Sequence, residues 1–153
     1  ATGFSIKWPN DIYWHDKKIA GILIENVLSG STFSRAIIGM GLNINQKNFY
    51  SDAPNPVSLH QITGHTYKIE KILDEFTEAL GKRYTDTFTN SSDRIHKEYI
   101  AALYRNDGVY PFYSDGNIFH ASIADVELDG HLLLLTESGE KKRFAFKEVS
   151  FLL

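Results

Sequence analysis

Cysteine is absent from the 153 residues, which excludes disulfides, thiolate nucleophiles and Cys-based zinc sites. That absence fits a reducing compartment, and a cytoplasmic location is the expectation. No run approaches the roughly 20 apolar residues of a membrane span. No sign of charge dominates, with 16 basic and 19 acidic side chains, so no global field draws in nucleic acid or an acidic membrane. P-loop and GxGxxG patterns are missing, as is any Ser/His/Asp order that would indicate a hydrolase. The six histidines (15, 60, 65, 96, 120 and 131) have no metal-ligand spacing. No basic-then-apolar leader follows Ala1, which reads equally as the residue after a removed Met or as an internal one. Internal repeats and low-complexity segments are also absent.

What is present suits a globular protein of one medium domain, or one small domain with an appendage, burying roughly 68–70% of its unfolded surface. Charge divides unevenly along the chain. Residues 1–106 carry 12 basic and 11 acidic groups, whereas residues 107–153 carry 4 and 8. The break suggests two units, 1–106 and 107–153.

Phe4–Trp8 alternates as a strand and stops at Pro9, which cannot donate to a ladder. Ile12–Trp14 and Ile19–Leu28 read as a hairpin joined through His15-Asp16-Lys17-Lys18, and Ser29-Gly30-Ser31 as the next turn. Phe33–Asn45 follows as a long buried strand, and Asn48–Pro56 is a loop in which Asp52, Pro54, Asn55 and Pro56 cluster. Ser58 to Gln61 has the form of a capping box on a short helix closed by Gly64. Apolar steps of three and four (Ile69, Ile72, Leu73, Phe76, Leu80, Tyr84, Phe88) predict a helix over Lys68–Asn90. A second helix starts near Ser92 with Ile95, Tyr99 and Leu103 on one stripe. After Gly108 the period becomes strand-like. Asp115-Gly116, Asp129-Gly130 and Ser138-Gly139 punctuate five short strands, Val109–Tyr113, Ile118–Val126, Leu132–Thr136, Arg143–Phe146 and Val149–Leu153. The pattern predicts an α+β fold: a mixed β-sheet packed with helices, then a small SH3-like barrel.

Two stretches carry chemistry. In the strand Ala36–Asn45, even positions are all apolar (Ala36, Ile38, Met40, Leu42, Ile44), which predicts a core-packed face. Odd positions lose their side chains at Gly39 and Gly41, then offer Asn43 and Asn45. Glycine weakens a strand interior, so two on one face suggest a close approach, by a ligand or by a bulge or neighbouring helix. Gly21 interrupts the paired apolar strand in the same way, and Lys18 stands at its turn end, where a lysine can also simply face solvent. An ammonium held in a partly dry slot attracts carboxylate and phosphate oxygens. Asn10 and Asn43 offer amide groups, and Asp11 is either a hard oxygen ligand for magnesium or the cap of a turn. Together they suit the joining of a carboxylic acid to a nucleotide α-phosphate. Lys141-Lys142-Arg143 reads as a solvated edge that discourages strand pairing.

Three stretches, Lys7-Trp8-Pro9-Asn10-Asp11, Lys18-Ile19-Ala20-Gly21-Ile22-Leu23-Ile24-Glu25 and Gly39-Met40-Gly41-Leu42-Asn43-Ile44-Asn45, closely resemble the signatures of biotin protein ligases, in order and at similar spacing. The likeness runs through Pro56–Leu59, the helices and the C-terminal strands. It implies two steps: biotin and ATP give biotinyl-5′-AMP and pyrophosphate, then the biotinyl group passes to a lysine of a biotin carboxyl carrier protein. By the resemblance, Lys18 is the essential lysine contacting the biotin carboxylate and the adenylate phosphate. Gly21, Leu23, Gly39 and Gly41 line the biotin slot, Asn10, Lys18 and Asn43 serve ATP, and Asp11 serves Mg2+. Residues 1–106 would be the C-terminal part of the catalytic domain and 107–153 the SH3-like C-terminal domain. The family's Gly/Arg-rich GRGRxxR loop precedes KWPND and is not in this sequence, nor is a DNA-binding helix-turn-helix. The resemblance therefore implies part of a ligase, inactive alone, that works with the missing N-terminal half and could form a homodimer. A lipoate ligase-like acyl-adenylate enzyme and a non-catalytic fragment that docks a carrier protein are the alternatives.

Overall fold

The computed structural model describes residues 2–30, 32–50, 54–89 and 92–152. Ser31, Asp52, Asn90 and Leu153, which the sequence reading assigned to a turn, a loop, a helix end and a strand end, lie outside the described residues. The chain forms two compact units, Ala1–Ser92 and Asp93–Leu153.

The first unit holds strands β1 (Phe4–Lys7), β2 (Asp11–Trp14), β3 (Lys17–Ser29) and β4 (Thr32–Leu42), antiparallel and in chain order. The β2–β3 turn is tighter than expected. Lys17 and Lys18 already belong to β3, opposite Trp14 and Tyr13, which leaves His15 (φ 49°) and Asp16 to turn the chain. A bulge between Ile12 and Tyr13 re-aims the strand there.

Helix α1 (Leu59–Thr63) closes one face of this sheet. Ile19, Ala20 and Val57 are buried, with Ile12, Trp14, Leu42, Leu59 and Ile62 packed round them. The predicted capping box is present: Ser58 Oγ accepts from Gln61 N, Gln61 Oε1 accepts from Ser58 N, and Gly64 caps the other end at φ 76°. The remaining first-turn amides are also met, Leu59 N by Asn43 O at 3.0 Å and His60 N by Ile44 O at 2.8 Å. That service explains why β4 ends at Leu42 rather than at Asn45. Past Leu42 the carbonyls turn from a ladder to the start of α1.

The expectation that the even face of β4 packs on a core holds only at Leu42. Ile38 is 61% and Met40 39% exposed, and on the other face Ile37 is 54% exposed. The reason is reach: a five-residue helix is about 7–8 Å long and covers only the Ile12–Ala20–Leu42 end of the sheet. Helix α2 (Ile69–Thr89) follows the predicted span, yet its stripe of Ile69, Leu73, Phe76, Leu80 and Tyr84 is exposed.

The second unit contains α3 (Ser92–Ala101) and strands β5 (Tyr110–Ser114), β6 (Asn117–Val126), β7 (Leu132–Thr136), β8 (Lys141–Phe144) and β9 (Ser150–Phe151). They form an antiparallel sheet in the order β8-β7-β6-β5-β9, in keeping with the expected small barrel. Asp115 and Gly116, both at positive φ, make the two-residue β5–β6 turn that the sequence marked. Phe112, Ala121, Leu132 and Leu134 are fully buried, and Phe112 contacts Phe119 and Phe151 at centroid distances of 6.0 and 4.9 Å. The unit begins fourteen residues before the expected boundary after residue 106 because α3 packs with these strands. His96 Nε2 lies 2.7 Å from Asp125 Oδ1, and Arg105 Nη1 donates to Leu152 O at 2.6 Å.

Candidate functional site

Strand register aligns the three singled-out motifs. Asp11 pairs with Gly21 and Gly21 with Gly41, so one residue from each motif forms a row across β2, β3 and β4. Two residues along, Leu23 pairs with Gly39 and adds a second row on the same face. The neighbouring row, Ile12–Ala20–Leu42, points the opposite way into the α1 core. A sheet one residue out of register would send the glycines into that core. A Cβ at Gly39 or Gly41 would meet nothing within 4 Å, so the glycine face is open.

Lys18 is held from both sides by its backbone. Its N donates to Asn55 O at 3.0 Å and its O accepts from Val57 N at 2.8 Å, a parallel bridge to Pro56. Its side chain runs along β3, and Nζ lies 2.6 Å from Asp11 Oδ1. The two side chains are 35% and 20% exposed, a half-dry setting in which the attraction is less screened than at an open surface. Both meet above Gly21: a Cβ there would lie 3.3 Å from Asp11 Oδ1 and 3.3 Å from Lys18 Nζ. Lys18, Asp11, Gly21, Leu23, Gly39 and Gly41 are thus brought to one face.

The three asparagines part company. Asn10 grips β3: Nδ2 donates to Ile22 O at 2.6 Å, and Ile22 N donates to Asn10 O at 2.8 Å. This pair extends the β2–β3 ladder past its last strand residue and keeps the Asn10 amide nitrogen engaged. Asn45, which parity put beside Asn43, is taken up by the fold, bonding both Tyr67 O (2.8 Å) and Tyr67 N (2.9 Å). The Asn43 carboxamide has no hydrogen-bond partner among the described residues, while its backbone joins Ile19 O to Leu59 N. Sequence reading missed the part played by Asn55–Val57 in seating Lys18. The only signal was Pro-Asn-Pro before the capping box, which reads as an ordinary loop.

Elsewhere, Glu127, Asp129 and His131 lie close enough to suggest a metal group, which the histidine spacing did not reveal. Arg143 fills that place. Its Nε is 2.5 Å from Glu127, its Nη2 bonds Asp129, and that nitrogen lies 2.9 Å from His131 Nδ1. Hydrogen bonds from His131 hold the Asp129 carboxyl below the usual carboxylate range, and Glu127 raises the Arg143 guanidinium. This is an exposed ion network at the edge strand β8, and a cation there would have to displace a guanidinium. Clefts beside Phe144 in the same unit are lined by none of the expected site residues.

The glycine face can take a flat acyl chain against its backbone with a carboxylate drawn to the Lys18 ammonium. It does not build a metal cage. Asp11 Oδ1 already faces Lys18 Nζ, and no group of three metal-ligating side chains among the described residues includes Asp11.

Comparison with known proteins agrees with this geometry. Residues 3–43, which hold β1 to β4 and the glycine face, match the biotin/lipoate A/B protein ligase family. Over most of its length the chain resembles biotin ligases. It is 30% identical over 146 residues to the Bacillus subtilis bifunctional ligase/repressor BirA, covering 92% of this chain and 44% of that protein. It is 30% identical over 109 residues to the Paracoccus denitrificans biotin--[acetyl-CoA-carboxylase] ligase, covering 69% and 45%. The chain therefore spans less than half the length of these relatives. The fold matches the crystal structure of biotin protein ligase from Aquifex aeolicus with a TM-score of 0.74 at 24% identity, over 97% of this chain and 65% of that one. The same ligase in complex with biotin and ATP matches with a TM-score of 0.71.

Proposed function

We propose that the whole protein is an ATP-dependent biotin protein ligase, which activates biotin as biotinyl-5′-AMP and passes the acyl group to a lysine of a biotin carboxyl carrier protein in the cytoplasm. The observation that carries this reading is the Asp11–Gly21–Gly41 row. Three motifs far apart in sequence share one open face, with the Lys18 ammonium over it.

On this reading Gly21, Leu23, Gly39 and Gly41 line the biotin slot. Lys18 draws in the carboxylate and then steadies the charge that builds as it attacks the α-phosphate. The C–O–P bond forms as the bond to pyrophosphate breaks, and in the second step a carrier amine displaces AMP. Asn43, with its free carboxamide, faces the nucleotide. Asn10 serves the same site through the backbone of Ile22. Magnesium belongs to the reaction as the partner of the nucleotide phosphates. Residues 1–106 act as the C-terminal part of the catalytic domain and 107–153 as its SH3-like domain. The exposed Leu23, Ile37, Ile38 and α2 stripe suit a unit completed by further chain, so the isolated 153 residues are expected to be inactive.

The test uses the full-length protein with ATP and biotin or lipoate, reading pyrophosphate and acyl-adenylate. Biotinyl-adenylate at saturating biotin, with Lys18→Ala about 10²–10³-fold slower in a single turnover, is expected. Adenylate from lipoate alone would turn the assignment to a lipoate ligase, and carrier binding without any adenylate would reduce it to a docking module.

A further inference from the structure

We infer that Asp11 acts as the positioning residue of Lys18 rather than as a ligand for a metal ion, and that Gly21 is side-chain-free to make room for that pair. The inference rests on the adenylation reading and assigns roles within its site. A lysine has four flexible methylenes and three donors on a point charge, so it needs something to aim it. Lys18 leaves β3 opposite Tyr13, yet its Nζ lies over Gly21, drawn along the strand to Asp11 Oδ1 at 2.6 Å. Asp11 is in turn fixed by its register opposite Gly21 and by the Asn10 grip on Ile22 next to it. One ammonium donor is spent on Asp11, and two remain for a carboxylate and a phosphate oxygen.

A magnesium ion on the same Oδ1, at about 2.0–2.1 Å, would stand within about 5 Å of the ammonium. The two cations would repel and compete for one oxygen. The Gly21 geometry fits the pair independently. A Cβ at 3.3 Å from both charged atoms would make them give way by a few tenths of an ångström, although Gly21 has ordinary strand backbone and no need of glycine for its dihedrals.

The test is a double-mutant cycle in the full-length protein, with the Mg2+ dependence of ATP binding followed by calorimetry. Asp11→Asn is expected to lower kcat for adenylation about 10–10²-fold while changing the biotin KM less than about threefold. In a Lys18→Ala background it should have less than about a twofold further effect, because a residue that acts through another is silent once that other is gone. Asp11→Ala, which removes the carboxylate without adding bulk to the slot, should show the same silence, and it keeps the test open if Asp11→Asn folds poorly. The Mg2+ concentration at half-saturation should be unchanged in Asp11→Asn. Losses that multiply in the double variants, or an Mg2+ requirement raised about tenfold or more, would overturn the inference while leaving the adenylation reading in place. Wild-type protein that makes no biotinyl-adenylate would overturn both.

Discussion

The second unit buries a core of large apolar side chains, whereas the first leaves a long apolar stretch of its sheet and of α2 at the surface. In Asp93–Leu153, Phe112, Ala121, Leu132 and Leu134 are fully buried and the phenylalanines stack on one another. In Ala1–Ser92 the buried cluster is Ile19, Ala20 and Val57 with its immediate neighbours, while Leu23, Ile24, Ile37, Ile38, Leu73 and Leu80 are half exposed or more. The contrast separates two kinds of order. The sheet of the second unit is stabilised by apolar burial. The site end of the first sheet is held in place by bonds at Lys18, Asn10, Asn43 and α1, beside the small Ile19–Ala20–Val57 core. Such bonds fix geometry well and add modestly to stability, about 0.5–1.5 kcal/mol each.

The largest expected difference comes from equal truncations in the two regions. Phe112→Ala should destabilise the second unit by about 3–5 kcal/mol in urea titration. Leu23→Ala or Ile38→Ala in this chain should stay within about 0.5 kcal/mol. Equal losses would erase the contrast. Next comes Ser58→Ala, which removes both the α1 cap and the bond Ser58 Oγ donates to Gln46 O at 2.6 Å in a fully buried place. A loss of about 1–2 kcal/mol in the same titration is expected, with hydrogen exchange rising first at Gln61, whose amide loses its acceptor. The smallest effect belongs to the exposed network at Arg143. The Asp129 carboxyl is held below its usual range, so its contribution is present above about pH 4 and is lost as pH falls through the lower folded value. Asp129→Asn should lower the melting temperature slightly at pH 7, and the difference from wild type should vanish near about pH 2.

The sequence made the local structure legible where one residue type forces one geometry. Ser58 and Gln61 announced α1, Gly64 its end, and Asp115-Gly116 a two-residue turn, because caps and primed turns are decided within a few residues. Parity also sorted β4 correctly into a glycine face and an apolar face. It could not say what covers the apolar face, since alternation fixes which side chains are together and nothing about the neighbour; Ile38 and Met40 show the difference. The same blindness joined Asn43 to Asn45. Spacing makes them equivalent, yet Asn45 is spent on Tyr67 some twenty residues on. The Lys18–Asp11 contact was out of reach for a related reason. Both residues were singled out, but their meeting depends on a register and a bulge that only the paired strands reveal.

The central claim is that the Lys18 ammonium, over the Gly21–Gly41 row, receives the carboxylate and the phosphate. A crystal structure of the full-length protein with biotinyl-5′-AMP tests it most directly. The account predicts Lys18 Nζ within about 3 Å of the acyl-phosphate oxygens, still paired with Asp11, and the acyl chain lying across Gly39 and Gly41. An adenylate bound away from that row, with the amine turned to solvent, would contradict it.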